Sequence, residues 1–112
     1  MKRLLSLLLL AGCSQGAQSD LQYIKQARSA AAEWALVNEQ AARGQLTDTY
    51  VKTMREEART EIESASSSLS EPNSPYAREM KGLSSEPDDV APEQLRGKVE
   101  ALKRIEDSLE SA

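Results

Sequence analysis

The stretch Ser19 to Val51, SDLQYIKQARSAAAEWALVNEQAARGQLTDTYV, carries the reading on which the fold turns. Its first four residues, Ser19-Asp20-Leu21-Gln22, have the form of a capping box. In that device a serine hydroxyl and a glutamine side chain each satisfy an orphan helical amide. Gly44 is the natural left-handed stop at the other end. Between them, at about 100° per residue, Ile24, Ala31, Ala35 and Ala42 align. Leu21 lies to one side of that line and Ala27, Trp34 and Ala41 to the other, with Val37 widening the arc. The pattern predicts one helix over residues 19–43, whose broad face of small side chains lets two neighbours approach closely. Thr47 then offers a second N-cap, and Leu46 before it can pack on Val51 as a hydrophobic staple. A link as short as Gly44-Gln45 folds the second helix back antiparallel to the first.

Outward from this hairpin, Val51, Met54, Ala58, Ile62, Ala65 and Leu69 make one stripe and predict a helix over 47–69. Lys52 with Glu56, and Arg59 with Glu63, are spaced as ion pairs one turn apart on its other faces. The serines around 66–70 compete for backbone hydrogen bonds, and Pro72 cannot continue a helix, so the chain breaks there. Ser74-Pro75 reads as an N-cap followed by a first-position proline. Tyr76, Met80 and Leu83 then carry a short helix over 75–83. Residues 84–89 read as loop. From Pro92 to about Leu109 a last helix presents Leu95, Val99, Leu102, Ile105 and Leu109 on one face. Glu100 with Arg104, and Lys103 with Asp107, sit outside it, and Gly97 weakens it. The expectation is an all-α fold: an antiparallel helical hairpin plus a C-terminal helix forming a small three-helix bundle, with a short extra helix near 75–83.

From Cys13 onward, leucine, isoleucine and valine number 15 in 100 residues. Below about 20%, with high net charge, chains begin to look disordered. Alanine-rich helical stretches and clean periodicity offset that tendency. A single domain with a thin core is expected, finished by a partner or by self-association. Asn38 falls inside the arc of the first helix, where it either fixes register, as buried Asn does in coiled coils, or sits at a solvated edge.

The front end is separate in character. Lys2 and Arg3 precede a leucine run, Leu4 to Leu10, broken only by Ser6. Seven residues span about 10 Å as a helix, far short of a hydrocarbon core about 30 Å thick. A secretory leader fits, with the small residues Ala11 and Gly12 just before the processing point. The only cysteine of the chain, Cys13, follows at once. The order Leu10-Ala11-Gly12-Cys13 resembles the lipobox of bacterial lipoproteins, over residues 1–14 only. That resemblance implies a diacylglycerol on the Cys13 sulfur, cleavage of residues 1–12, and usually acylation of the new amino group. A thiolate suits the chemistry as the strongest side-chain nucleophile. By the family's sorting rule, Ser14 rather than Asp after the cysteine implies delivery to the outer membrane, facing the periplasm. Residues 13–18 then form the lipidated cysteine and a short flexible tether, and residues 19–112 a helical periplasmic domain.

Loss of the leader removes Lys2 and Arg3 and leaves 12 basic against 18 acidic residues, a net charge of −6. So acidic a chain lacks the footprint of a nucleic-acid binder and is repelled by anionic headgroups; the lipid must do the holding. The chain has no histidine. With Cys13 given to lipid, zinc and carboxylate-histidine di-iron sites are excluded, as are Ser-His and Cys-His nucleophiles. No cofactor or metal is expected. Glu57 and Glu61, one turn apart, are spaced for an acid/base pair or a divalent-cation site, although a charged edge beside the stripe, with Glu61 near the interface, is the preferred reading. Glu86-Pro87-Asp88-Asp89 lacks the spacing that aims oxygens at calcium and reads as a solvated acidic loop. Trp34 is either a binding hot spot or, preferably, core. Leu36 points away from the arc.

These readings lead to a non-enzymatic, lipid-anchored helical protein acting through protein contacts at the envelope, in a structural, accessory or inhibitory role. The alternative is a self-associating module in which two hairpins dimerise into a four-helix bundle.

Overall fold

The structure, a computed structural model, describes residues 2–112, with side chains from residue 16 onward. The fold is all-helical: α1 spans Lys2–Ala42, α2 Asp48–Ser67, α3 Pro75–Ser84 and α4 Pro92–Ser111, with no strand among the described residues. The side chains of Leu10, Ala11, Gly12, Cys13 and Ser14 lie outside the described residues.

The expected start of the first helix at Ser19 is corrected, because α1 is already helical before it. No capping box forms there. Inside a continuing helix the amide is not orphaned, so the Ser19 hydroxyl turns back and donates to the Gly16 carbonyl at 2.9 Å. The Gln22 amide likewise reaches the Ser19 carbonyl, at 3.5 Å. Residues 16–18, expected within a flexible tether, are helical and tied at two points. Ser70 Oγ donates to the Gly16 carbonyl at 2.8 Å, and Gln18 Nε2 donates to the Leu109 carbonyl at 2.9 Å.

The turn after α1 follows its chemistry closely. Gly44 takes φ +68°. Its N–H reaches the Ala41 carbonyl at 3.0 Å, and the Gln45 N–H reaches Gln40 at 3.1 Å. These two bonds make a Schellman motif, which satisfies carbonyls the helix leaves orphaned. Thr47 caps α2, its hydroxyl accepting from the Tyr50 N–H at 3.2 Å. Ser74 caps α3 in the same manner, accepting from Ala77 N–H at 3.2 Å with Pro75 at the first helical position. At the end of α2, Ser67 and Ser68 donate back to the carbonyls of Glu63 and Ser64, and the helix stops two residues short of Leu69.

α1 lies centrally and makes its most extensive contacts with α4 and α2. Its small-residue face is buried through Ile24, Ala27, Ala30, Ala31, Trp34 and Ala35. Val37 joins it, while Ala42 is exposed at the last turn. From α2 come Ala58, Ile62 and Ala65, from α3 Tyr76, Met80 and Leu83, and from α4 Leu95 and Leu102. Val99, Ile105 and Leu109 are only partly buried against this core. Trp34 is fully buried and is the largest side chain in it, so one aromatic ring fills the volume that a wide, alanine-lined face leaves open. The apolar stripes thus meet inside the chain, at a packing that truncation of a buried Leu, Ile, Met or Trp to Ala opens at a cost of about 2–5 kcal/mol.

Candidate functional site

Three groups of polar side chains and one apolar groove stand out from the helical body. The first group gathers around Trp34. Its indole N–H donates to the Asp88 carbonyl at 2.9 Å. Asn38 donates to the same carbonyl at 3.0 Å and to that of Val90 at 2.8 Å, and its own oxygen accepts from Arg55 Nε at 2.8 Å. Of the two readings of Asn38, the structure selects the buried one.

Arg59 completes this group and corrects an expectation. It does not pair with Glu63 but turns inward, its guanidinium carbon 5.0 Å from the centre of the Trp34 ring. From there it donates to the carbonyls of Ser84 and Glu86 and to the Asp88 carboxylate, the latter two at 2.8 Å. Three charge-assisted bonds and a cation–π contact outweigh a solvated ion pair worth a few tenths of a kcal/mol. The segment 84–90 is therefore latched onto α1 and α2. The acidic run Glu86-Pro87-Asp88-Asp89 is the substance of that latch. Asp88 is paired with Arg59 and Glu86 with Lys98, at 2.8 and 3.9 Å, so these carboxylates face cations the protein itself supplies.

The second group centres on Asp20, which is 1% exposed. Its carboxylate accepts from Tyr76 Oη at 2.6 Å, from the N–H and the hydroxyl of Ser70 at 2.8 Å each, and from the Glu71 N–H at 3.1 Å. Burial pushes this carboxyl upward, but the four donors together prevail and hold it below its ordinary value. The same burial, with the carboxylate beside it, pushes the Tyr76 hydroxyl up to about 12. Asp20 was legible in the sequence only as part of a cap; its partners lie 50 and more residues away.

The third group is the pair of Arg28 and Glu106. Glu106 is 3% exposed and accepts from Arg28 Nε at 2.6 Å and Nη2 at 3.4 Å. Nearer the other end of α4, Arg96 pairs with Glu39, and this partner holds the Glu39 carboxyl below its usual range. Lys103 and Asp107 pair as expected at 2.9 Å, and the bond raises the lysine. Among the described residues the expected pairs Lys52–Glu56 and Glu100–Arg104 are not formed.

The carboxylates weighed as an acid/base pair, Glu57 and Glu61, are both exposed and line a shallow depression on α2 with Thr53, Glu56 and Thr60. Only the Glu61 carbonyl meets another element, accepting from Gln26 at 3.5 Å. Among the described residues no group of three or more metal-ligating side chains gathers. Trp34 lies in the core, and Leu36 stands 51% exposed.

The groove is of a different character. It lies between the start of α3 and the second half of α4, encloses about 430 Å³, and is floored mainly by Pro75, Tyr76, Ala101, Ile105 and Leu109. No helix is long and apolar enough to cross a membrane, among the described residues. No protein-family model, no curated protein and no solved structure matches this chain.

Proposed function

We propose that this chain is a small lipid-anchored protein of the bacterial cell envelope, held through Cys13 at the periplasmic face of the outer membrane. It acts through protein–protein contacts in a structural, accessory or inhibitory role, and not as an enzyme. The observation that carries this reading is the order Leu10-Ala11-Gly12-Cys13 directly behind Lys2, Arg3 and the leucine run. In bacterial lipoproteins, which it resembles at these positions, that arrangement presents the sulfur for a diacylglycerol and the preceding bond for cleavage. Two or three acyl chains, at about 0.8 kcal/mol per buried CH₂, hold a protein almost permanently where a single chain does so marginally. Ser14 carries the sorting toward the outer membrane. The non-enzymatic part is supported by a sequence without histidine, whose one thiol is assigned to lipid.

The body so anchored is a small three-helix bundle of α1, α2 and α4, with the short α3 across one end. Its support is the order of the paired residues. Gln26 and Asn38 of α1 meet Glu61 and Arg55 of α2, while Arg28 and Glu39 meet Glu106 and Arg96 of α4. Both partners run opposite to α1.

Growth with labelled palmitate tests the reading. The protein takes up label and fractionates with membranes, and Cys13→Ser abolishes both. An unmodified thiol on a chain that keeps residues 1–12, seen by mass spectrometry, overturns it.

A further inference from the structure

We propose that the groove between α3 and α4 is the face with which this protein rests on the bilayer. The inference builds on the lipid anchor at Cys13 and asks which part of the surface the anchor brings to the membrane. Only Ser14 and Gln15 separate Cys13 from Gly16. Three Cα steps cover about 10 Å even when fully extended. Gly16 is no loose end, because its carbonyl accepts from Ser70 Oγ. It is also packed so closely that a Cβ there would meet the Glu71 carboxylate at 2.8 Å. The acylated residue is therefore tied within about 10 Å of the end of the body formed by Gly16, Ser70 and Leu109.

The groove opens at that same end. Leu109 floors it and also lines the adjoining hollow with Ala17 and Gln18, and its carbonyl holds the Gln18 amide. Tyr76, on the opposite wall, is bonded to Asp20 one turn beyond Gly16. The surface so placed combines an apolar floor and a cation, and Glu110 in the adjoining hollow is paired with Lys25. Arg104 lines the groove and makes no ion pair among the described residues. Partly buried Ile105 and Leu109 with an unpaired guanidinium match the layered chemistry of a lipid surface, acyl boundary below and phosphate above. A protein partner would have to reach the same groove past the headgroups that a tether of this length brings against it. At the far end of α1, about 30 Å from Gly16 along the helix, Leu36 projects where the anchor cannot carry it to the membrane.

A fluorophore placed in the groove distinguishes these geometries. Acylation consumes the Cys13 thiol, so Ser108→Cys and, as control, Leu36→Cys each leave one reactive sulfur in the full, processed protein. Both sites are exposed or groove-lining and tolerate the change. On phosphatidylethanolamine–phosphatidylglycerol vesicles carrying a spin-labelled phospholipid, the dye at 108 is quenched severalfold more than the dye at 36. Equal quenching at the two positions overturns the proposal and leaves the anchor intact. Shielding of position 108 from aqueous iodide without quenching by the lipid-borne spin label assigns the groove to a second copy of the chain, the one protein present, and also overturns it. A free thiol at Cys13, detected as a second dye per chain, removes the anchor and the proposal together.

Discussion

Asp20 draws four donors from a segment that begins 50 residues further along the chain, and its ionisation governs how that segment is held. The folded-state carboxyl titrates below its ordinary value of 3.8. The stability it contributes is therefore present above the unfolded value and is lost as pH falls through the folded one. Tyr76 works in the opposite sense: raised from 10.0 to about 12, it contributes stability that is present below the unfolded value and lost as pH climbs toward 12. Tyr76→Phe is thus expected to cost about 1.5 kcal/mol at neutral pH and to flatten the alkaline limb of a urea-midpoint profile. Asp20→Asn is expected to cost more, about 3 kcal/mol, since an amide turns donors toward donors and keeps only one acceptor. It also flattens the acid limb below pH about 4. If Asp20→Asn leaves the midpoint unmoved, this carboxylate holds nothing. The sequence shows none of this. A capping box is a local pattern, and Ser19-Asp20-Leu21-Gln22 satisfies it on paper; what commits Asp20 elsewhere is the arrival of Ser70 and Tyr76, which no window of a few residues contains. Glu106 was hidden in the same way, a charged residue one step from an apolar stripe until Arg28 reaches it.

At the scale of the helices the sequence is far more legible, because the forces that start and stop them act over four or five residues. Thr47, Ser74, Pro75, Pro92 and Gly44 each do what their local chemistry dictates. The stripes of α3 and α4 face the core as their spacing predicts, as does that of α2 through Ala58, Ile62 and Ala65. Met54 is half-buried outside the core cluster, and Leu69 packs on that cluster from beyond the helix end. Two glycines sharpen the point, since they are expected to respond with opposite signs. Gly44 sits at φ +68°, a conformation that costs an L residue roughly 1–2 kcal/mol. Gly44→Ala is accordingly expected to lower stability by about 1 kcal/mol, although a Cβ there meets nothing within 4 Å. Gly97 lies inside α4, where an added Cβ also meets nothing. Gly97→Ala is expected to raise stability by up to about 1 kcal/mol through the entropy of the unfolded chain. Urea midpoints of the two variants check both. Where local reasoning failed within an element, a long side chain had two places to go. Arg59 has Glu63 one turn away, yet it leaves that pair for three oxygens of the 84–88 segment and the face of Trp34.

For the whole molecule, the question left by so few large aliphatic residues is whether the chain finishes its core alone. A homodimeric bundle of two hairpins needs α2 and α1 to offer an apolar face to a second copy. In the structure those faces are already spent. Ala58, Ile62 and Ala65 of α2 meet α1 and α3 inside the same chain, and Leu95 and Leu102 of α4 cover the other flank of α1. The exposed remainder of α1 is mostly polar, with Gln22, Lys25, Ser29 and Glu33 beside Ala32 and the one large apolar side chain Leu36, too little to form a seam with a copy of itself. A chain with net charge −4, or −6 under the proposed loss of Lys2 and Arg3, also repels its own kind at low salt. Besides Leu36 and Tyr50, each about half exposed, the apolar surface that remains is the narrow groove at Ile105 and Leu109, where under the proposed anchoring the bilayer competes for it. The soluble protein beginning at Ser14, and so without Cys13, is therefore expected to sediment at equilibrium as a monomer at micromolar concentration, at low and physiological salt alike. A dimer mass that persists on dilution would mean that the alanine-lined core is completed between chains. The arrangement of α4 against α1 would then have to be exchanged for contacts with a second copy.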